Sequence, residues 1–344
     1  MGKKKKKTKD IVSDIELGGD STQSSVAQHS RKHRRVIRKT KVLFRAIDLL
    51  FNIPQNSCPY VNKNNRNSIR VENDIVYDET DPDICKLDFY RDKTEKKLPA
   101  IIIIHGGGFT AGDKKYRKGR AQFFALHGFA VFSINYGLAP GYTFPEPIKH
   151  IVEAANFVYD NADRFNIDVN RIFADGDSAG GYYAAILGAF NCSDKLKNTF
   201  GFAPKFKIFG MLLNCGIYDI NTVFNTNFPF KIDEGVILSL TGTSVNDFGK
   251  YRYADVCSPV SLVNGDFPPS FLIFSDNDMF CGGQGDIMVD KLNECGVYCE
   301  YYSAHDALSN HCFSLTWNGE DAAAANELML SFAVRLASDK IKLT

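Results

Sequence analysis

The stretch Ala100-Ile101-Ile102-Ile103-Ile104 is apolar at every position. A strand with one face in water alternates apolar and polar side chains. A run without alternation suits a parallel strand covered on both faces. The same logic recurs at Ala130-Val131-Phe132-Ser133-Ile134, at Ile208 to Leu213 and at Phe271-Leu272-Ile273-Phe274, with Val297 to Tyr302 as a last strand. Helical stretches fall between these runs. Tyr116 to His127 is stopped by Gly128, and Pro145 to Phe165 carries Ile148, Ile151, Val152, Ala155 and Val158 on one face. Ile287, Met288, Leu292 and Cys295 line a further helix ended by Gly296, and Ala322 to Ala337 forms the last. Asn73 to Asp78 and Lys86 to Arg91 alternate enough to be two early strands, parted by the turn-forming Asp81-Pro82-Asp83. Strands alternating with helices predict an α/β fold with a mainly parallel central sheet and helices on both faces.

With 344 residues, 44% of them hydrophobic, the chain can bury one large α/β core or two small ones. The net charge of +1 hides an uneven spread: residues 1–41 hold 13 Lys/Arg against 4 Asp/Glu, so the rest carries −8. The basic head is too poor in apolar residues to bury anything, and residues 1–30 are expected to be a disordered tail. No aromatic interleaving or groove-reading motif accompanies these charges, so nucleic acid is not an expected partner. A weak contact with anionic membrane through the basic N-terminus is the alternative to a solvated tail. Lys6 stands where a myristoylation signal needs Ser or Thr, and the stretch after the lysines lacks the apolar core of a signal peptide. Residues 42–53 are too short to span a bilayer and are interrupted by Arg45 and Asp48; their apolar stripe reads as an amphipathic helix laid on the protein's own body.

Nine cysteines, odd in number and scattered, are expected to be reduced thiols of a cytoplasmic protein. Cys295 and Cys299 lack the paired spacing of a zinc site, and neither metal nor organic cofactor is expected.

Two stretches break the alternation. Residues 31–72 precede the sheet as an N-terminal helical or cap segment. Residues 220–265 interrupt it, rich in Phe (224, 228, 230, 248) and Tyr (251, 253). An aromatic-rich interruption between sheet strands is expected to form a lid, and the catalytic domain is expected to span 73–344.

The chemistry concentrates at strand ends. Gly176-Asp177-Ser178-Ala179-Gly180-Gly181 sits between an apolar run and a small-residue helical segment. A serine on such a sharp turn projects its hydroxyl out of the sheet and puts the next amide at the positive end of a helix. Directly after the isoleucine strand stands His105-Gly106-Gly107-Gly108-Phe109, where successive glycines let amide N–H groups turn toward a developing oxyanion. A phosphate-binding loop would continue with Lys-Ser/Thr, but here Thr110-Ala111 follows. A nucleophilic serine needs a base, and the base an orienting carboxylate. Asp276 and Asp278 follow the Phe271 strand, and His305 and His311 follow the last strand, so the chain order Ser, Asp, His is met with two candidates for each partner.

Taken together, His105-Gly106-Gly107-Gly108, Tyr136-Gly137-Leu138-Ala139-Pro140 with Phe144-Pro145, Gly176 to Gly181, Asp278 and His311 resemble the hormone-sensitive-lipase-like family of α/β-hydrolases over roughly residues 70–340. That resemblance implies the α/β-hydrolase fold, with Ser178 as nucleophile, His311 as base and Asp278 as its orienter. It also implies an oxyanion hole from the amides of Gly107, Gly108 and Ala179, and a lid built from 31–72 and 220–265. The chain departs from the family pattern at Gly137, where Arg is usual, and at Ser275, where Gly is usual. It departs again at Met279-Phe280 in place of Pro-Leu, and at Cys312 after the histidine. The implied activity is hydrolysis of small-molecule carboxylic esters with small to medium acyl chains through an acyl-enzyme. An amidase, formamidase or deacetylase shares this chemistry, and a non-catalytic ligand binder is the reading from another class.

Overall fold

The computed structural model describes residues 33–50, 58–60, 67–223 and 232–338. The basic tail expected at 1–30 and the phenylalanines 224, 228 and 230 lie outside the described residues.

The chain enters as helix α1 (33–50), then lays down β1 (Ile69–Val76), β2 (Lys86–Asp92) and β3 (Leu98–Ile104). Next come α2 (Lys118–Leu126), β4 (Ala130–Ile134), α3 (Glu146–Asp160), β5 (Ile167–Asp177) and α4 (Ala179–Ala189). A short helix α5 (Asp194–Phe200), β6 (Gly210–Asn214), α6 (Ile232–Thr241), β7 (Ser270–Ser275), α7 (Gln284–Glu294), β8 (Cys299–Ala304) and α8 (Glu320–Ala337) complete it. The eight strands pair in the order β1-β2-β4-β3-β5-β6-β7-β8. Only β1–β2 and β2–β4 are antiparallel; from β4 to β8 every pairing is parallel. This is the α/β-hydrolase fold.

The isoleucine run explains itself in three dimensions. Ile102 and Ile104 join the core on one face of the sheet, with Tyr182, Tyr183 and Ile186 of α4 and Ile148, Ile151 and Val152 of α3. Ile101 and Ile103 join the core on the other face, with Phe123 and Phe124 of α2 and Met329, Phe332 and Leu336 of α8. All four are fully buried. At about 25 cal/mol per Å² of apolar surface, a side chain buried this way contributes about 1.5–3 kcal/mol.

Several boundaries move from their sequence expectation. The first strand begins at Ile69, inside the segment read as preceding the sheet, and Asp74 (φ +57°) bulges it between Glu72 and Ile75. The bulge shifts the apolar alternation, which is why 73–78 read as the strand. The helix read as 145–165 ends at Asp160, and a separate turn spans Ala162–Phe165 before left-handed Asn166. The last strand runs two residues later than read, to Ala304. The helix read at 42–53 covers 33–50 among the described residues. It turns Ile37, Phe44 and Asp48 inward, while Val42, Leu49 and Leu50 face out. In the 220–265 stretch, Val236, Ile237, Leu240 and Phe248 join the main core.

Candidate active site

Parallel strands end at one edge, so the loops after β3, β5, β6, β7 and β8 converge there. Ser178 follows β5 with φ 53° and ψ −121°, a strained backbone held because its amide donates to Asn214 O at 2.9 Å, at the end of β6. Gly176 and Gly180 face each other across this turn, and a Cβ on either would strike backbone: the carbonyl of Gly180 or that of Ile104. The turn therefore demands glycine at both places.

Ser178 Oγ donates to His311 Nε2 at 2.9 Å. On the far side of the ring, His311 Nδ1 donates to both carboxylate oxygens of Asp278, at 2.8 and 2.9 Å. Asp278 Oδ1 also accepts the amides of Phe280 and Cys281, each at 2.8 Å. Burial alone would raise the Asp278 carboxyl; the facing imidazole and these amides outweigh it and hold the group below the usual carboxylate range. The acid loop and the histidine loop are tied together by Asn310, whose Oδ1 accepts from the amides of Met279 and His311, and by the hydroxyl of Ser275 bonded to Ser309 O.

The glycine loop stands beside Ser178. Gly107 (φ +130°), Gly108 (φ +57°) and Phe109 (φ +64°) bend it into a conformation that favours glycine at the first two places. The amides of Gly107, Gly108 and Ala179 donate to no partner among the described residues. Unpaired backbone donors converging beside a serine hydroxyl are the arrangement that could receive an oxyanion.

The two remaining candidates pair with each other instead. His305 Nδ1 lies 2.7 Å from Asp276 Oδ2, with side chains 75% and 57% exposed, and neither has a recorded contact with Ser178 or His311. His150 accepts the Gly137 amide and His127 bonds the Phe123 carbonyl, both local roles.

Beside Ser178 lies an apolar cavity of about 20 Å³, walled by Phe44, Phe109, Ile217, Val223, Val236 and Phe280. Phe44 reaches in from α1, its ring 6.0 Å from that of Phe280, which packs edge-on to His311 at 5.1 Å. The first helix thus touches the wall that supports the imidazole.

Sequence reading assigns Asp177 to bracing neighbouring loops rather than to proton transfer; it missed the arginines that complete this brace beneath the site. Arg117 donates through two nitrogens to Asp177, each at 2.5 Å, and Asp177 also accepts the Gly106 amide at 3.2 Å. Arg120 forks onto Asp175 at 2.6 and 2.7 Å. All four side chains are nearly completely buried. Burial works against a charged Asp177, yet the Arg117 guanidinium wins and holds its carboxyl below the usual range. The brace fixes the glycine loop to the serine turn. Its signal was present: Arg117 and Arg120 share a helical face, and Asp175 and Asp177 share a strand face. Asp48 of α1 also approaches Arg117 and accepts from the Gly112 amide; burial raises its carboxyl to about 6.

Residues 87–288 match the BD-FAE family, more than half of the chain. An α/β hydrolase of Acanthamoeba polyphaga mimivirus is 26% identical over 210 residues, covering 58% of this chain and 57% of its own. The arylacetamide deacetylase of Bos taurus is 36% identical over 123 residues, 34% of this chain and 31% of its own. The chain thus spans from under a third to just over half of these two relatives. Among solved structures, esterase B from Lactobacillus rhamnosis superposes with a TM-score of 0.78 at 20% identity, covering 90% of this chain and 98% of that one. Among the described residues, no helix is long and apolar enough to cross a membrane. The chain belongs to the BD-FAE family and, with it, to the α/β-hydrolase-fold esterase superfamily.

Proposed function

We propose that this chain is a serine hydrolase of carboxylic esters, of the hormone-sensitive-lipase-like type, working by two-step acyl transfer. Ser178 Oγ attacks the ester carbonyl while His311 Nε2 takes its proton, and Asp278 holds the imidazole and balances the imidazolium. Negative charge on the carbonyl oxygen is met by the amides of Gly107, Gly108 and Ala179, each such donor contributing on the order of 10²–10³ in rate. The imidazolium then protonates the departing alcohol, and a water molecule repeats the sequence on the acyl-enzyme. The observation that carries this reading is the unbroken chain of hydrogen bonds from Ser178 through His311 to Asp278.

The cavity beside Ser178 has room for about one or two water-sized groups, which supports short acyl chains. Phe44 on α1 and Val236 on α6 support the reading of 31–72 and 220–265 as a lid. A cytoplasmic setting is supported by nine free thiols.

Labelling with a chromogenic organophosphate ester tests the reading: one adduct on Ser178 and stoichiometric loss of aryl-ester hydrolysis are expected. An active protein labelled elsewhere, or not at all, overturns it. Similarity to an arylacetamide deacetylase favours amide cleavage as the second reading. Comparing an aryl acetate with the matching acetanilide decides between them.

A further inference from the structure

Three cysteines crowd the His311–Asp278 pair, and the acyl-transfer mechanism uses none of them. Cys215 Sγ, Cys312 Sγ and a ring nitrogen of His311 lie within 4.8 Å of one another. An overlapping trio, Asp278, Cys281 and His311, lies within the same distance. The donors come from the loops after β6, β7 and β8, so no spacing in the sequence announces them. The thiols are free and buried.

The backbone gives an independent observation. Cys215 (φ +46°) and Cys312 (φ +53°) both adopt the left-handed conformation that non-glycine residues rarely take. Backbone strain of this kind gathers at functional sites. Together the two turns bring the thiols to one another and to the imidazole.

We propose that Cys215, Cys312 and His311 form an inhibitory site for a thiophilic divalent cation, Zn²⁺ or Cd²⁺. Two thiolates and one imidazole suit a borderline-soft ion that takes four ligands tetrahedrally. Bonds of about 2.3 Å to sulfur place two sulfurs about 3.8 Å apart, so the donors need draw in by no more than about 1 Å. Loops rather than strands carry them. Asp278 and Cys281 share only His311 with this trio, and a solvent water would complete the four ligands. Binding releases the two thiol protons to solvent and changes no oxidation state. Ligation through Nδ1 takes the ring from Asp278; ligation through Nε2 takes it from Ser178. Either way the imidazole stops being a base. This inhibitory consequence rests on the proposed role of His311; the metal site itself does not.

The test uses the full chain, reduced and freed of metal. Cobalt(II) is titrated in and the near-ultraviolet thiolate-to-cobalt band followed, then Zn²⁺ is added as competitor. The expected result is one cobalt per chain, displaced by Zn²⁺, with Zn²⁺ lowering aryl-ester hydrolysis at least about tenfold and a chelator restoring it. Cys215→Ser and Cys312→Ser each weaken binding by about 100-fold or more. His311→Gln, which keeps a polar side chain of similar size, does the same and serves if the cysteine substitutions unfold the chain, as circular dichroism would reveal. Ser178→Ala binds cobalt with unchanged affinity. A wild-type chain without the band overturns the proposal, as does a band that survives all three ligand substitutions, or Zn²⁺ bound one per chain with hydrolysis intact. If the metal-free chain hydrolyses no ester while the band forms as described, the functional reading falls and the metal site stands.

Discussion

Two histidine–aspartate pairs occupy the same edge of the sheet and look alike by distance. His311 lies 2.8 Å from Asp278, and His305 lies 2.7 Å from Asp276. Their surroundings differ: the first pair's side chains are 8% and 1% exposed, the second pair's 75% and 57%. The buried pair has amides on its carboxylate and a serine on its far nitrogen; the exposed one has water. An ion pair in water at 4 Å is worth about 1 kcal/mol, and several times that near a protein interior. Close approach alone does not make a general base. Exclusion of solvent, a fixed tautomer and an aligned nucleophile do.

The largest expected contrast is in turnover. His311→Ala should lower kcat by about 10⁴-fold or more, and Asp278→Asn by about 10³–10⁴-fold, read by steady-state hydrolysis of an aryl acetate. The same rule of burial applies to stability. Arg117→Met leaves Asp177 charged and unpaired inside the protein, and urea unfolding should show a loss of about 3–5 kcal/mol. Arg335→Met, which removes a partner from the part-exposed Glu300 pair, should cost no more than about 1 kcal/mol.

A third effect is pH-dependent and smaller. The folded chain holds the Asp48 proton up to about pH 6, against a carboxyl of 3.8 in the unfolded chain. That contribution is complete below 3.8 and is lost as pH rises through 6. Asp48→Asn should therefore raise the melting temperature at pH 8 and change it little at pH 4, the gain at pH 8 having an upper bound of about 3 kcal/mol. The smallest effect belongs to the exposed pair: His305→Ala should leave kcat within about twofold, as surface substitutions usually do. A tenfold loss there would erase the distinction between the pairs.

Much of this architecture was readable beforehand, for a physical reason. Glycines at 107, 108, 176 and 180 are demanded by backbone geometry, and the isoleucine run by burial on both faces, so neither tolerates disguise. The partners of Ser178 were less legible. Asp276 and Asp278 both follow β7, and His305 and His311 both follow β8; which ones turn inward depends on loop contacts such as Asn310 with Met279 and His311. The inward face of α1 was hidden because a buried Asp48 looks polar in a sequence. The bulge at Asp74 hid the true start of β1 because one inserted residue reverses the pattern of alternation.

The order of the strands carries one more consequence, for assembly. The proposed nucleophile, Ser178, directly follows β5 in the middle of the sheet, while its proposed base, His311, arrives only after β8, 133 residues further along the chain. Pairings between such distant segments form slowly, because a long stretch of chain must be ordered before the contact repays it. A chain still emerging from the ribosome would carry Ser178 without the His311 imidazole and so, on the proposed mechanism, would be inert toward esters. On the proposed mechanism, hydrolysis begins only when the last strand docks, which would make activity itself a signal that synthesis has passed residue 311 and the sheet has closed.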